Sequence, residues 1–183
     1  QTASEAAVVV DKLEVYMNKN NLVEENNPSN EVSNYGDWRN MIVFVADDED
    51  NNLHINQADQ LATFIDTTYK QYNIEKIYFD SFTQVSTSGG QRYPEVSTAI
   101  NNRINRGALL FNYTGHGGEN GLSHERVLGF SDIASWENKY NLTVFLTATC
   151  EFSRFDDPAL MAAGERTLIT PNGGAVALLT TTR

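Results

Sequence analysis

Apolar residues in this chain come in short runs separated by stretches of helical period. MIVFVA (41–46), IEKIYF (74–79), GALLFNY (107–113), TVFLTAT (143–149) and GAVALLTTT (174–182) are near-continuous apolar runs. Such runs are expected of strands covered on both faces. Between them, Gln57 to Tyr72 places Leu61, Phe64, Ile65 and Tyr69 on one helical face. Pro94 to Asn105 reads as a helix with proline at its first position, where the missing N–H costs nothing. A short helix is expected near Ser131 to Glu137, and another from Pro158 to about Glu165, capped by Asp156 or Asp157. At the start, Thr2 to Asn18 is amphipathic, with Ala6, Val9, Val10, Leu13, Tyr16 and Met17 at spacings of three and four. It reads as a packing helix without chemistry. Lys19 to Trp38, rich in Asn with Pro28 and Gly36, reads as a linker. Strands alternating with helices imply right-handed crossovers and an α/β fold: a mostly parallel sheet with helices on both faces.

Length and composition narrow the picture. The 183 residues suit a single domain: a connecting helix over 1–18, a linker over 19–38 and an α/β core over 39–183. The net charge of -11 argues against nucleic acid or an anionic membrane surface as the main partner. No apolar run approaches the roughly 18 residues of a membrane span. Gln1 opens directly into helix-like sequence, so no signal peptide is read, and Arg183 directly follows a strand. The chain therefore reads as a catalytic-subdomain fragment of a larger protein. A single cysteine forms no internal disulfide and leaves the redox compartment open.

Chemistry gathers where strands end. The run 107–113 leads into Gly115-His116-Gly117-Gly118, the run 143–149 ends on Cys150, and the run 41–46 ends on Asp47, Asp48, Glu49 and Asp50. In an open parallel sheet those ends share one edge, where ligands bind. A cysteine peptidase needs a thiol nucleophile, a histidine to activate it, and donors for the oxyanion. Cys150 supplies the first and His116 the second. The backbone N–H groups of Gly117 and Cys150 are the oxyanion candidates, since the glycines let bare backbone approach a substrate. Glu49, with Asp48 in reserve, could hold the imidazole from behind. Blander alternatives stay open: a buried small cysteine or a loop histidine. A zinc site of His116, His124 and Cys150 matches no usual ligand spacing. DDEDNN could bind a structural calcium, though it lacks the glycine and final Glu of an EF-hand loop. A flavodoxin-like ligand domain would want a glycine-rich loop after its first strand, where this chain is acidic.

The phrase NYTGHG and the strand ending ATC resemble the gingipain-like cysteine peptidases, which have a caspase-like, three-layer α/β fold akin to flavodoxin. WRNMIVFVADDED, RYPE, ATCEFSRFDDP, AAGE and PNGGAVALLTTTR fit as well. Within that group the chain is most similar to the PorU-like sortases of the type IX secretion system of Bacteroidetes. The resemblance implies that Cys150 is the nucleophile, His116 the general base and acid, and Glu49 the acid against His116. It implies Gly117 and Cys150 as oxyanion donors, and a substrate pocket involving His54, Asp80 and Thr181. Arginine-cleaving relatives carry an acid in the first specificity pocket; the comparable stretch here is LHINQAD, with His54 nearest and Asp59 further on. The implied activity is removal of C-terminal sorting domains from secreted proteins at the outer-membrane surface. No cofactor is required. Anionic lipopolysaccharide would serve as acyl acceptor and other secretion components as partners, or else a non-catalytic domain would bind partners in the secretion assembly.

Overall fold

The computed structural model describes residues 2–17, 22–24, 27–32 and 36–183. Its centre is a five-stranded sheet of β1 (Met41–Ala46), β2 (Asn73–Tyr78), β3 (Leu110–Thr114), β4 (Thr143–Ala148) and β5 (Ala175–Leu179). Every neighbouring pair is parallel, in the order β2-β1-β3-β4-β5. The order reverses between β1 and β3. That switch point opens a crevice at the carboxyl ends of the strands.

Alternation along β1 sorts the layers. Ile42 and Phe44 pack with Ala62, and Ala46 with Ile55 and Ala58, all from α2 (Glu49–Thr68). Val43 and Val45 point the other way, into a larger core with Val96, Ile100 and Ile104 of α3 (Pro94–Arg106). Phe111 and Phe145 stack there at 4.7 Å, with Trp136 beside Phe145. Ile133 of α4 (Phe130–Ala134) and Ala163 of α5 (Ala163–Ile169) join the same core. The expected three-layer sandwich is therefore present.

Three local expectations differ from the structure. Leu22–Glu24 and Asn27–Val32 pair as antiparallel strands inside the stretch read as a linker; residues 18–21, 25, 26 and 33–35 of that stretch lie outside the described residues. The helix expected from Pro158 begins instead at Ala163, after a run of turns. Asp157 caps only a local turn, accepting the Ala159 N–H at 3.0 Å, while Glu165 reaches back to the Ala162 N–H at 2.8 Å. Gly164 sits where a side chain would collide with Ser153 and Phe152.

The first helix, α1 (Ala3–Met17), also departs from its apolar face. Val10, Leu13 and Met17 are exposed, whereas Lys12 is buried. Its ammonium donates to the carbonyls of Thr167, Leu168, Thr170 and Gly173 at 2.7–3.3 Å. Those carbonyls cluster around the end of α5, where a helix leaves acceptors unsatisfied. Burial pushes the Lys12 pKa down to about 7, and the ring of acceptors opposes that shift by favouring the charged form. A polar anchor, rather than an apolar stripe, docks α1.

Candidate functional site

The turn after β3 is held from below by one buried acid. Asp47, the first residue past β1, is fully buried, and its Oδ2 accepts the His116 N–H. The Tyr113 hydroxyl donates to the His116 carbonyl at 2.6 Å, and the Ser123 N–H donates to the same oxygen at 2.8 Å. Burial, reinforced by the nearby Asp47 charge, raises the Tyr113 pKa well above that of a free phenol, so it stays a donor. The peptide of His116 is thus fixed at both ends. A side chain at Gly115 would strike the Asp47 carboxylate, and one at Gly117 would strike the Thr149 hydroxyl. These two glycines are required by close approach. Beyond them the chain forms a small antiparallel sheet of Gly117–Gly118, Gly121–Leu122 and Leu128–Gly129.

The imidazole of His116 faces acids from the start of α2. Its Nε2 lies 2.9 Å from Asp50 Oδ2 and 3.5 Å from Glu49 Oε2. Glu49 also meets His124 Nδ1 at 3.0 Å, and Asp50 meets His54 Nε2 at 3.3 Å. His54 stands edge-on to His116 at 5.2 Å, and His124 stacks on it at 5.0 Å. The hydrogen bond from His116 is the main cause holding the Asp50 carboxyl below its ordinary range. An unusual backbone makes this possible: Asp50, Asn51 and Asn52 are all left-handed, with φ of 53°, 57° and 60°. Asp and Asn tolerate that region best among residues with a Cβ. The turn folds the acids back over the histidine before the right-handed helix begins.

Two acids share the place expected for Glu49 alone. Glu49 does approach His116, but Asp50 is closer. Asp48, the expected reserve, turns away and accepts the Tyr93 hydroxyl at 2.6 Å. Asp47 was legible only as part of an acidic run; nothing in the pattern singled it out as the buried member. The DNN triplet was the available signal for the left-handed turn.

Cys150 follows β4. Every pair in the β3–β4 ladder is offset by 34 residues, from Val144 with Leu110 to Ala148 with Thr114. Cys150 and His116 share that offset, so they stand at matching places past neighbouring strand ends. The Gly115 N–H donates to the Ala148 carbonyl at 3.2 Å, carrying the strand contact one residue further. The Cys150 thiol is free and exposed. Thr181 braces this strand end from the β5 side: its hydroxyl donates to the Thr149 carbonyl. That is a supporting contact for a residue expected to line the substrate pocket. Asp80 is exposed in the turn after β2, accepting the Ser81 hydroxyl at 3.3 Å. His54 is brought directly to His116.

The segment after Cys150 is tied back to the histidine turn. Arg154 pairs with Glu119, which raises its pKa further, and the Ala163 N–H donates to the Glu119 carbonyl at 2.7 Å. Next to the turn lies an open cleft of about 560 Å³, lined by Gly117, Glu119, His124, Arg126 and Asp132 among others. Two residue sets here have metal-ligand spacing: Asp50 with His54 and His116, and Glu49 with His116 and His124. Among the described residues Cys150 belongs to neither, so the set His116, His124 and Cys150 does not form as such.

Comparison with known proteins points one way. The model of peptidase family C25 matches residues 1–183. No curated protein sequence matches. Among solved structures, the Arg-specific cysteine proteinase gingipain R superposes with a TM-score of 0.71 at 19% identity, covering 100% of this chain. The complex of RgpB pro- and mature domains from Porphyromonas gingivalis gives 0.66 at 18% identity over 94% of this chain. A structure described simply as a protease gives 0.61 at 18% identity. This chain spans only 38%, 37% and 33% of those chains, respectively.

Proposed function

Because the chain belongs to peptidase family C25, we propose that it carries the catalytic machinery of a cysteine endopeptidase. The observation that carries this reading is the shared offset that puts Cys150 and His116 at matching places past neighbouring strand ends, with Asp50 and Glu49 at Nε2 of the imidazole. With Nε2 engaged by Asp50 and Glu49, Nδ1 is the nitrogen left to exchange a proton with the thiol. His116 takes the Cys150 proton, and Asp50 stabilises the imidazolium through Nε2–H. The thiolate attacks the substrate carbonyl, and the oxyanion that forms is met by the N–H groups of Gly117 and Cys150. Collapse breaks the C–N bond, and His116 returns the proton to the leaving amine. Water or a second amine then cleaves the thioester. Neither step requires a cofactor, and a structural calcium on the acidic turn remains part of the proposal.

The finer reading is a sortase: removal of C-terminal sorting domains from secreted proteins at the bacterial outer-membrane surface. The acyl group would pass to anionic lipopolysaccharide, with other secretion components as partners. Its support is the set of motifs running from NYTGHG to PNGGAVALLTTTR.

The test is the alkylation rate of Cys150 against pH, in this chain and in His116→Ala. An ordinary thiol has a pKa near 8.5, and a His-paired one reacts well below it. Rapid labelling at about pH 6 that disappears in His116→Ala is the expected result. Equal, slow labelling in both would return the chain to a non-catalytic, partner-binding role.

A further inference from the structure

We propose that the histidine cluster is a binding site for a single zinc ion, held by Asp50, His54 and His116 with the fourth position open to water, and that an ion seated there switches the His116 base off. Tetrahedral zinc with bonds of about 2.0–2.1 Å to nitrogen and oxygen has ligand atoms about 3.3 Å apart. Asp50 Oδ2 lies 3.3 Å from His54 Nε2 and 2.9 Å from His116 Nε2. Two edges of the tetrahedron are thus already close to length. The ligand atoms of Asp50, His54 and His116 all lie within 4.8 Å of one another.

A second observation is independent of this spacing. Asp47 Oδ1 is buried without a hydrogen-bond partner, 3.8 Å from His54 Nε2, and the Asp47 side chain is 1% exposed. Buried polar atoms are rarely left unpaired. A cation between the His54 and Asp50 side chains takes the histidine nitrogen as a ligand. It also gives the stranded Asp47 oxygen a nearby positive charge. The net charge of -11 favours cation capture over anion capture.

The consequence follows from the two ring nitrogens. A neutral imidazole ligating through Nε2 carries its proton on Nδ1 and has no lone pair left to accept another. The nitrogen expected to take the Cys150 proton is then already protonated, and the metal has replaced the acids behind the ring. Because the ligands are one carboxylate and two histidines, binding needs no thiolate. This separates the site from chelation by a Cys–His pair.

Calorimetric titration of the Cys150→Ala protein with zinc chloride tests it, with no reliance on peptidase activity. One-to-one binding is expected, weakened at least about 100-fold by Asp50→Asn or by His54→Gln. Cobalt should bind the same site with the visible absorption of a tetrahedral nitrogen–oxygen centre. Circular dichroism of each variant checks that the fold is kept. Three results overturn the proposal: no saturable binding, binding unchanged in both variants, or binding that vanishes with Cys150→Ala. Failure of the alkylation test above, with zinc binding intact, would sink the peptidase reading and leave the metal site standing.

Discussion

The two sides of the proposed catalytic edge are built on opposite plans. His116 is held on every side: its peptide by Asp47 and Tyr113, its ring by Asp50 and Glu49, its faces by His54 and His124. Cys150 is an exposed free thiol at the end of a strand, followed by a run of turns. The difference matches the roles proposed for the two groups. A base works only if its ring is oriented and its charged form is stabilised beforehand. A nucleophile must be reachable, and its position is inherited from the strand beneath it. Interactions are therefore concentrated on the histidine side, and the cysteine side relies on register.

The sharpest way to break this contrast is to remove the thiol. Cys150→Ala should reduce peptide cleavage by about 10⁴-fold or more, as loss of a nucleophile does in other triads. Stability should stay within about 0.5 kcal/mol, because an exposed side chain with little packing is lost. Kinetics and a denaturant melt on the same protein check both halves. Cleavage that persists would end the assignment of the nucleophile.

On the histidine side the contrast predicts damage to both properties. Asp47→Ala strands the His116 N–H and should destabilise the fold by about 1–3 kcal/mol. It should also lower kcat by about 100-fold, since small misplacements of a catalytic group are costly. KM should move little. Asp47→Asn keeps an acceptor for the N–H and should recover most of both losses. If Asn fails as badly as Ala, the carboxylate charge rather than the hydrogen bond is what matters.

The sequence made one of these two sides far easier to read. Parallel strands with both faces covered announce themselves as apolar runs, so β1, β3 and β4 and the residues just past them could be placed. Cys150 and His116 came with that placement, because position beyond a strand end is a local property. The acids were harder. Four carboxylates in a row differ only in where the backbone turns, and that is set by the left-handed geometry from Asp50 to Asn52. Asp50 therefore stands nearer His116 than Glu49 does, and Asp47 disappears into the interior. Lys12 shows the same limit: its partners are carbonyls more than 150 residues away, contributed by every residue type alike. A pattern of apolar positions carries no trace of them.

The tie between the two sides gives a smaller effect. Arg154, after the cysteine, pairs with Glu119, after the histidine. Arg154→Ala should slow cleavage by about tenfold or less, through a looser Cys150 segment. Glu119→Gln should act in the same way. The double variant should be no worse than either single, because both remove one contact. Additive losses would mean the two residues act separately, and that the two sides are not joined by this pair.

The smallest effect is electrostatic and isolates the acid behind the ring. The Asp50 carboxyl is held below its ordinary value, chiefly by the His116 hydrogen bond and then by its charge. An acid with a depressed folded-state pKa contributes stability above its unfolded value, about 3.9, and loses it as pH falls through the lower folded value. Wild type should therefore melt above Asp50→Asn at pH 5, and the gap should close as pH falls below about 4. The group is exposed, so added salt should narrow the gap as well. Melting temperatures of the two proteins between pH 5 and pH 2.5, at low and high salt, measure it. A gap that persists at the acid end, where the carboxyl is protonated, would mean that the charge of Asp50 does not account for the difference and serves only the histidine.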